Sequence, residues 1–224
     1  MTANSSPGDQ ARAFFDDLWQ RGDHWQLESS AYEQAKYARQ LELISGRRYR
    51  NVLEIGCGSG LFARSLAQLA DRVVALDVSA VAIEQAKANG AGDNTDFRVA
   101  DVMDYKPADD GPFDLIVLSE TIYYLGWLYP FFNLGWMAYQ LYEATSPTGR
   151  LLMTNTFGGL KSYLHRPWLI RTYRDLFRNV GYALSIEEGF TGEKNGVALE
   201  AMIYLFEKPF TNPDPTAECQ GGAG

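Results

Sequence analysis

The sequence predicts an α/β chain built on a doubly wound, Rossmann-like sheet with helices on both faces. Three observations carry this. Short apolar runs at residues 51–53, 73–76, 96–99 and 113–118 alternate with stretches of helical period. A glycine-rich turn, Glu54-Ile55-Gly56-Cys57-Gly58-Ser59-Gly60, lies where the first run gives way to a helix-like segment at 61–70. Acids recur at the ends of successive runs, at Glu54, Asp77 and Asp101, and ligands of open α/β sheets bind beyond the carboxyl ends of the strands.

Composition sets the outer bounds. A chain of 224 residues with 46% apolar and 13% aromatic residues and nine prolines suits one globular domain. A net charge of −8 and a pI near 4.8 argue against undirected affinity for nucleic acid. No run approaches the roughly 18 consecutive apolar residues of a membrane span. The first eight residues lack a positive region followed by an apolar core. The expectation is a soluble, cytoplasmic protein without nucleic-acid or membrane partners, either monomer or homodimer. Cys57 and Cys219 are expected as unpaired thiols, and with only His24 and His165 as histidines no metal is expected.

The glycine turn is where the chemistry starts. Glycines at 56, 58 and 60 strip side chains from one rim, so a ligand can approach the backbone. The spacing G-x-G-x-G differs from the G-x-G-x-x-G of dinucleotide sites, and Glu54 is the wrong charge beside a pyrophosphate. A carboxylate there suits the ammonium or sulfonium end of S-adenosylmethionine (SAM). Asp77, at the tip of the second strand, is placed for ribose hydroxyls. Asp101 can accept from an adenine amino group while Val102 and Met103 sandwich the ring.

These motifs resemble those of class I SAM-dependent methyltransferases over residues 31–207. Glu54 to Gly60 is similar to that superfamily's first motif, and Leu76-Asp77-Val78-Ser79 to its second. Ala100-Asp101-Val102 is similar to the adenine-contacting segment, and the run 113–118 to the fourth strand. The resemblance implies a cofactor set of Glu54, Gly56, Cys57, Gly58, Gly60, Asp77, Val78, Asp101, Val102, Met103 and Ser119, with S-adenosylhomocysteine as product. It implies a seven-stranded mixed sheet with an antiparallel last strand.

In chain order, residues 1–10 read as a flexible leader and 11–45 as a helical lid or entry segment, its first part either packed on the domain or closing over the cofactor. Within the lid, Phe14, Phe15, Leu18, Trp19 and Trp25 form a partly helical apolar set. Ser30 and Glu33 have capping-box spacing before a helix at 31–44. Trp25-Gln26-Leu27 and Tyr32 to Tyr37 resemble the corresponding segment of the nodulation protein S family, whose members N-methylate an aminosugar. That likeness implies cofactor contacts at Tyr32 and Tyr37. The SAM-binding domain runs over 46–208, with a disordered tail at 209–224.

Ser79 caps a helix at 80–89 and Gly90 ends it. Past the fourth strand, Ser119-Glu120-Thr121-Ile122-Tyr123-Tyr124 replaces the Asn/Asp-Pro-Pro-aromatic motif of nucleobase methyltransferases. Glu120 is a candidate catalytic carboxylate there, and Tyr123, Tyr124 and Trp25 are candidate acceptor-pocket residues. The aromatic-rich stretch 126–145 is expected as core. A turn at 146–149 precedes a fifth strand, and the glycine-containing segment 155–166 is expected over the pocket. His165, in that segment, is a second catalytic candidate by its pKa range. A helix at 167–180 and strands at 183–187 and 199–206 close the fold. The expected function is transfer of a methyl group from SAM to a small polar acceptor, with nitrogen of an aminosugar-like amine preferred. Oxygen of a sugar or natural product and a non-catalytic SAM-binding protein stand as alternatives.

Overall fold

A computed structural model describes residues 5–158 and 162–210. The chain starts with α1 (Pro7–Gln20) and α2 (Ala31–Ile44). It then alternates β1 (Tyr49–Ile55), α3 (Leu61–Leu69), β2 (Ala70–Asp77), α4 (Ala80–Asn89), β3 (Thr95–Val99) and β4 (Phe113–Ser119). After β4 come α5 (Ile122–Leu128), α6 (Phe131–Ala144), β5 (Thr145–Gly158), α7 (Pro167–Asn179), β6 (Ala183–Lys194) and β7 (Val197–Glu207). The strands form one seven-stranded sheet in the order β3-β2-β1-β4-β5-β7-β6. Strands β1 to β5 run parallel and β7 is antiparallel to both its neighbours. The fold class read from the sequence is the one observed.

Strand alternation feeds two cores, one on each sheet face. Leu53, Ile116, Leu118 and Met153 point toward α5, α6 and α7. Val52, Leu115, Val117 and Leu152 point the other way, where they meet Ile44 of α2, Leu66 of α3 and Ile83 of α4. Each such aliphatic side chain contributes about 1.5–3 kcal/mol on burial, and both helix layers are anchored this way. The reversal of strand order between β1 and β4 opens the crevice above their carboxyl ends.

Several boundaries differ from the sequence expectations for identifiable reasons. Helix α1 begins inside the stretch read as a leader, because Ser6 and Asp9 form a capping box: Ser6 Oγ accepts from the Asp9 amide at 3.2 Å and Asp9 Oδ2 from the Ser6 amide at 3.3 Å. The box expected at Ser30 and Glu33 does not form; Glu33 turns inward to two lysines, and charge-assisted bonds outweigh an amide cap. The turn at 146–149 becomes an irregularity within β5, where Thr148 takes φ +61° and pairing with β4 jumps from Phe113↔Thr145 to Leu115↔Arg150. The aromatic stretch is split: Leu134, Met137 and Leu141 are buried, but Phe132 is 89% and Trp136 61% exposed. The final hairpin is longer than its apolar pattern indicates, since residues 188–200 continue the β6–β7 ladder. Residues 211–224, with Cys219, and Gly159 to Lys161 of the expected acceptor segment lie outside the described residues.

Candidate active site

The glycine turn is stitched to the tip of β2. The amides of Gly56 and Cys57 donate to Leu76 O at 2.8 and 2.9 Å. The Gly58 amide donates to Asp77 Oδ2 at 2.9 Å, and the Ser79 amide to Oδ1 at 2.9 Å. Gly58 has φ +53°, and a β-carbon there would lie 2.6 Å from the Trp19 ring. Only glycine admits this turn with the indole seated on it. A β-carbon at Gly60 would instead meet Phe97 at 2.9 Å and Ala86 at 3.0 Å. Gly60 therefore serves the packing of α3 against α4 and β3, and it does not line the cavity.

Above this turn lies a cavity of about 430 Å³. Sheet order arranges its floor, with Asp101 and Val102 beyond β3, then Asp77 and Val78, then Glu54 to Gly58, then Ser119 and Glu120 beyond β4. Tyr37 lines it from α2, Trp25 from the α1–α2 connection, and Tyr123, Tyr124 and His165 from beyond β4 and β5. Two further expected contacts are corrected. Tyr32 lies off the wall, packed on Phe190 at 5.6 Å between ring centres, since the helical turn that aims Tyr37 at the cavity aims Tyr32 at the hairpin. Met103 packs its side chain toward the core and meets Asp101 through its amide alone, at 2.9 Å.

The cofactor end carries displaced acids. Glu54 is 3% exposed, and its Oε2 has no hydrogen-bond partner among the described residues. Burial, with the neighbouring Asp77 charge, pushes its carboxyl up to about 8. Asp77 is raised by burial to about 6 against the pull of its amide donors. Burial also pushes the Cys57 thiol up, which leaves it a weak nucleophile. Asp101 Oδ2 accepts from the Tyr129 hydroxyl.

At β4 the backbone takes a strained turn. Glu120 has φ +57°, a conformation costing about 1–3 kcal/mol for a residue with a β-carbon. Four donors hold it: Lys36 Nζ at 2.6 Å and Thr156 Oγ1 at 2.8 Å on Oε1, and the Thr156 amide and Tyr123 hydroxyl, both at 2.9 Å, on Oε2. Burial alone would raise its carboxyl, but the Lys36 charge and these bonds hold it below the usual range. A carboxylate so engaged is a poor proton acceptor, which weighs against base work by this candidate catalytic residue. Lys36 itself is 1% exposed and paired also with Glu33 at 2.8 Å. Burial opposes its charge and the two carboxylates more than restore it.

His165 stands differently. Its Nδ1 is buried without a partner among the described residues, and its ring centre lies 4.9 Å from that of Tyr123. Burial, helped by Lys36 and opposed by Glu120, holds its pKa below the ordinary 6.5. The lowered pKa favours the neutral imidazole.

Sequence reasoning missed the ion chain that walls the cavity on the side of α2 and the last hairpin. Lys194, near the hairpin tip, reaches Glu33 at 2.7 Å and the Trp25 carbonyl, and Asn195 donates to Gln26 Oε1 at 3.0 Å. A signal existed for α2: Tyr32, Lys36, Gln40 and Ile44 recur at the helical interval of four and are all buried. Nothing local marked Lys194. Among the described residues no group of metal-ligating side chains assembles, and no helix is long and apolar enough to cross a membrane.

The site fits SAM on its own chemistry. The orphaned Glu54 oxygen matches an ammonium donor, Asp77 keeps one lone pair per oxygen for ribose hydroxyls, and Asp101 with Val102 borders an adenine-sized end. The strand order and this site define the class I SAM-dependent methyltransferase fold. The N-methyltransferase NodS of Bradyrhizobium japonicum, solved with S-adenosyl-L-homocysteine, superposes with a TM-score of 0.75 at 21% identity, covering 89% of this chain and 98% of that one. The sequence model of the family described as Nodulation protein S matches residues 9–128, and the chain belongs to that family. Nodulation protein S of Bradyrhizobium diazoefficiens is 36% identical over 107 residues, 46% of this chain and 49% of that protein. A ubiquinone biosynthesis O-methyltransferase of Xanthomonas euvesicatoria is 33% identical over 84 residues, 37% and 34% of the two chains. The matched region thus spans about half the length of the nodulation relative.

Proposed function

We propose that the protein transfers the methyl group of SAM to the nitrogen of a small amine of the kind an aminosugar carries. One observation carries the reading: a single cavity is lined by Glu54 at the end of β1 and His165 beyond β5, each with a buried side-chain atom that has no partner among the described residues. The bound cofactor supplies a methyl group already activated by its sulfonium charge. The work left to the chain is alignment and removal of one proton. Glu54, Asp77 and Asp101 hold the cofactor's ammonium, ribose and adenine. His165 accepts the proton that the amine sheds, and Glu120 positions Lys36 and Tyr123 without titrating. Residues 11–45 serve as a lid, an assignment supported by Trp19 seated on Gly58. The N-methyltransferase named among the structural neighbours supports nitrogen as acceptor. The likeness to ubiquinone O-methyltransferases supports oxygen as the second reading. The protein is taken to work on a small molecule in the cytoplasm.

The test is transfer of labelled methyl from SAM to an aminosugar and its hydroxyl counterpart, with the product located by mass spectrometry. Label on nitrogen is expected, and label on oxygen alone overturns the amine. Asp77→Ala and Gly58→Val should each weaken SAM binding by about tenfold or more, the first through lost hydrogen bonds to a charged group. Wild-type affinity in both removes the cofactor assignment. Release of no S-adenosylhomocysteine across a broad acceptor panel would leave a SAM-binding protein without turnover.

A further inference from the structure

We propose that the exposed face of α6 is the contact between two copies of this chain, paired antiparallel across a two-fold axis. Residues 121–142 contain no Asp, Glu, Lys or Arg, in a chain of which 21% is charged. The inner face of α6, with Leu134, Met137, Ala138 and Leu141, fills the core. Its outer face presents Phe132 at 89%, Trp136 at 61% and Tyr139 at 43% exposure. Their spacing of four and three sets them in one stripe along the helix. Phe131 is half exposed beside them. Beyond the Tyr129–Pro130 link, so is Trp127 of α5, which meets Phe14 of α1 at 5.3 Å between ring centres.

Gly135 lies within this stripe, three residues after Phe132 and four before Tyr139. Glycine is among the weakest helix formers, so its place in mid-helix calls for a packing reason. Nothing among the described residues gives one: a β-carbon at Gly135 would meet no atom within 4 Å, whereas one at Gly58 or Gly60 would collide. The missing side chain leaves a notch in an aromatic ridge, and such a ridge fits its own copy. Turned about a two-fold axis between residues 135 and 136, each Trp136 lies over Gly135 of the other copy and each Phe132 against the other's Tyr139.

Area and charge both select a second copy as the occupant. The five rings of Trp127, Phe131, Phe132, Trp136 and Tyr139 expose roughly 600 Å², taking about 150–250 Å² for a whole aromatic side chain. That stands at the top of the range for apolar patches on monomers and approaches the about 800 Å² that each partner brings to a stable pair. Each copy carries a net charge of −8, so two copies repel across charged faces and approach most easily where the surface carries none. A lipid bilayer is the poorer match, since the stretch offers no cation to an anionic headgroup. In the antiparallel pair Glu143, in the last turn of α6, comes toward the N-terminus of the other copy's α6, where negative charge is favourable.

The test is sedimentation equilibrium of the full-length protein from about 1 to 100 μM. Expected is a shift from 25.1 kDa to twice that mass, with a dissociation constant in the micromolar range. Gly135→Leu fills the notch with a better helix former, so it should weaken pairing about tenfold or more without lowering the melting temperature of the monomer. Phe132→Lys and Tyr139→Glu should each weaken pairing to the same extent, and the double variant should regain it as the new charges meet across the axis. Unchanged SAM binding in each variant, at a concentration where the parent chain is monomeric, shows that the fold is kept. A chain that stays monomeric throughout overturns the proposal. A dimer indifferent to all three substitutions overturns the face, and a double variant that fails to pair overturns the antiparallel register. A monomer that sediments with neutral phosphatidylcholine vesicles assigns the face to a lipid surface and overturns the second copy.

Discussion

At Glu54, a carboxyl that titrates near 8 faces a cavity fitted to an ammonium group. Bringing a cation to it favours the ionised form, so binding below pH 8 releases a proton. SAM affinity measured by calorimetry should therefore rise from pH 6 towards about 8 and decline above it as the ligand's own α-ammonium, with an ordinary pKa of about 8, loses its proton, and Glu54→Gln should abolish the rise while weakening binding. The same group affects stability with its own sign. Its folded pKa is raised above the unfolded value of about 4.3, so its contribution is fully present below pH 4 and is lost as pH climbs through 8. Glu54→Gln should then resist denaturant better than wild type at pH 9, and an equal or lower midpoint would contradict the raised carboxyl. His165 is lowered from 6.5, so the acid limb of the rate profile should fall below pH 6.5 and disappear in His165→Gln.

Elements differ in how openly the sequence declares them. The cap at Ser79 is a local device formed by residues three positions apart, and the loop from Glu54 to Gly60 was legible from its glycine spacing although the groups that hold it lie on β2. Helix α1 was underread because Pro7 and Gly8 have the composition of a leader, while its capping box stands one turn earlier than the apolar pattern. The outer half of the β6–β7 hairpin carried no periodic signal, since its Lys194 and Asn195 are held by partners in the α1–α2 connection and α2. Lys36 had the right helical spacing, yet a buried lysine becomes recognisable only when its two carboxylates are seen. Removing it should be severe: Lys36→Met leaves Glu120 and Glu33 without their shared cation and should cost about 3–5 kcal/mol in denaturant unfolding. Lys194→Ala should be mild for stability and should instead speed hydrogen exchange in residues 188–200. Unchanged exchange there would mean that the hairpin tip is held by its own ladder.

On the scale of the molecule, the parallel strands bring Glu54, Asp77 and Asp101 to one side of the cavity, and the N-terminal helices, the segment after β4 and the last hairpin supply the proposed acceptor wall. The sheet was legible because its strands are buried on both faces and read as continuous apolar runs. The acceptor wall was not, because it is assembled from α1, the α1–α2 connection, α2, the segment after β4 and the last hairpin. Gln26 and Asn195, which join across this wall, both sit in left-handed backbone, at φ +52° and +53°. During synthesis the first of that pair leaves the ribosome long before the second exists, at about 5–20 residues each second. The glycine turn and all three cofactor acids are therefore available to a growing chain that still lacks the outer side of its pocket. A nascent chain arrested before Lys194 lacks β7, the strand that joins β5 to β6, together with the outer side of its pocket.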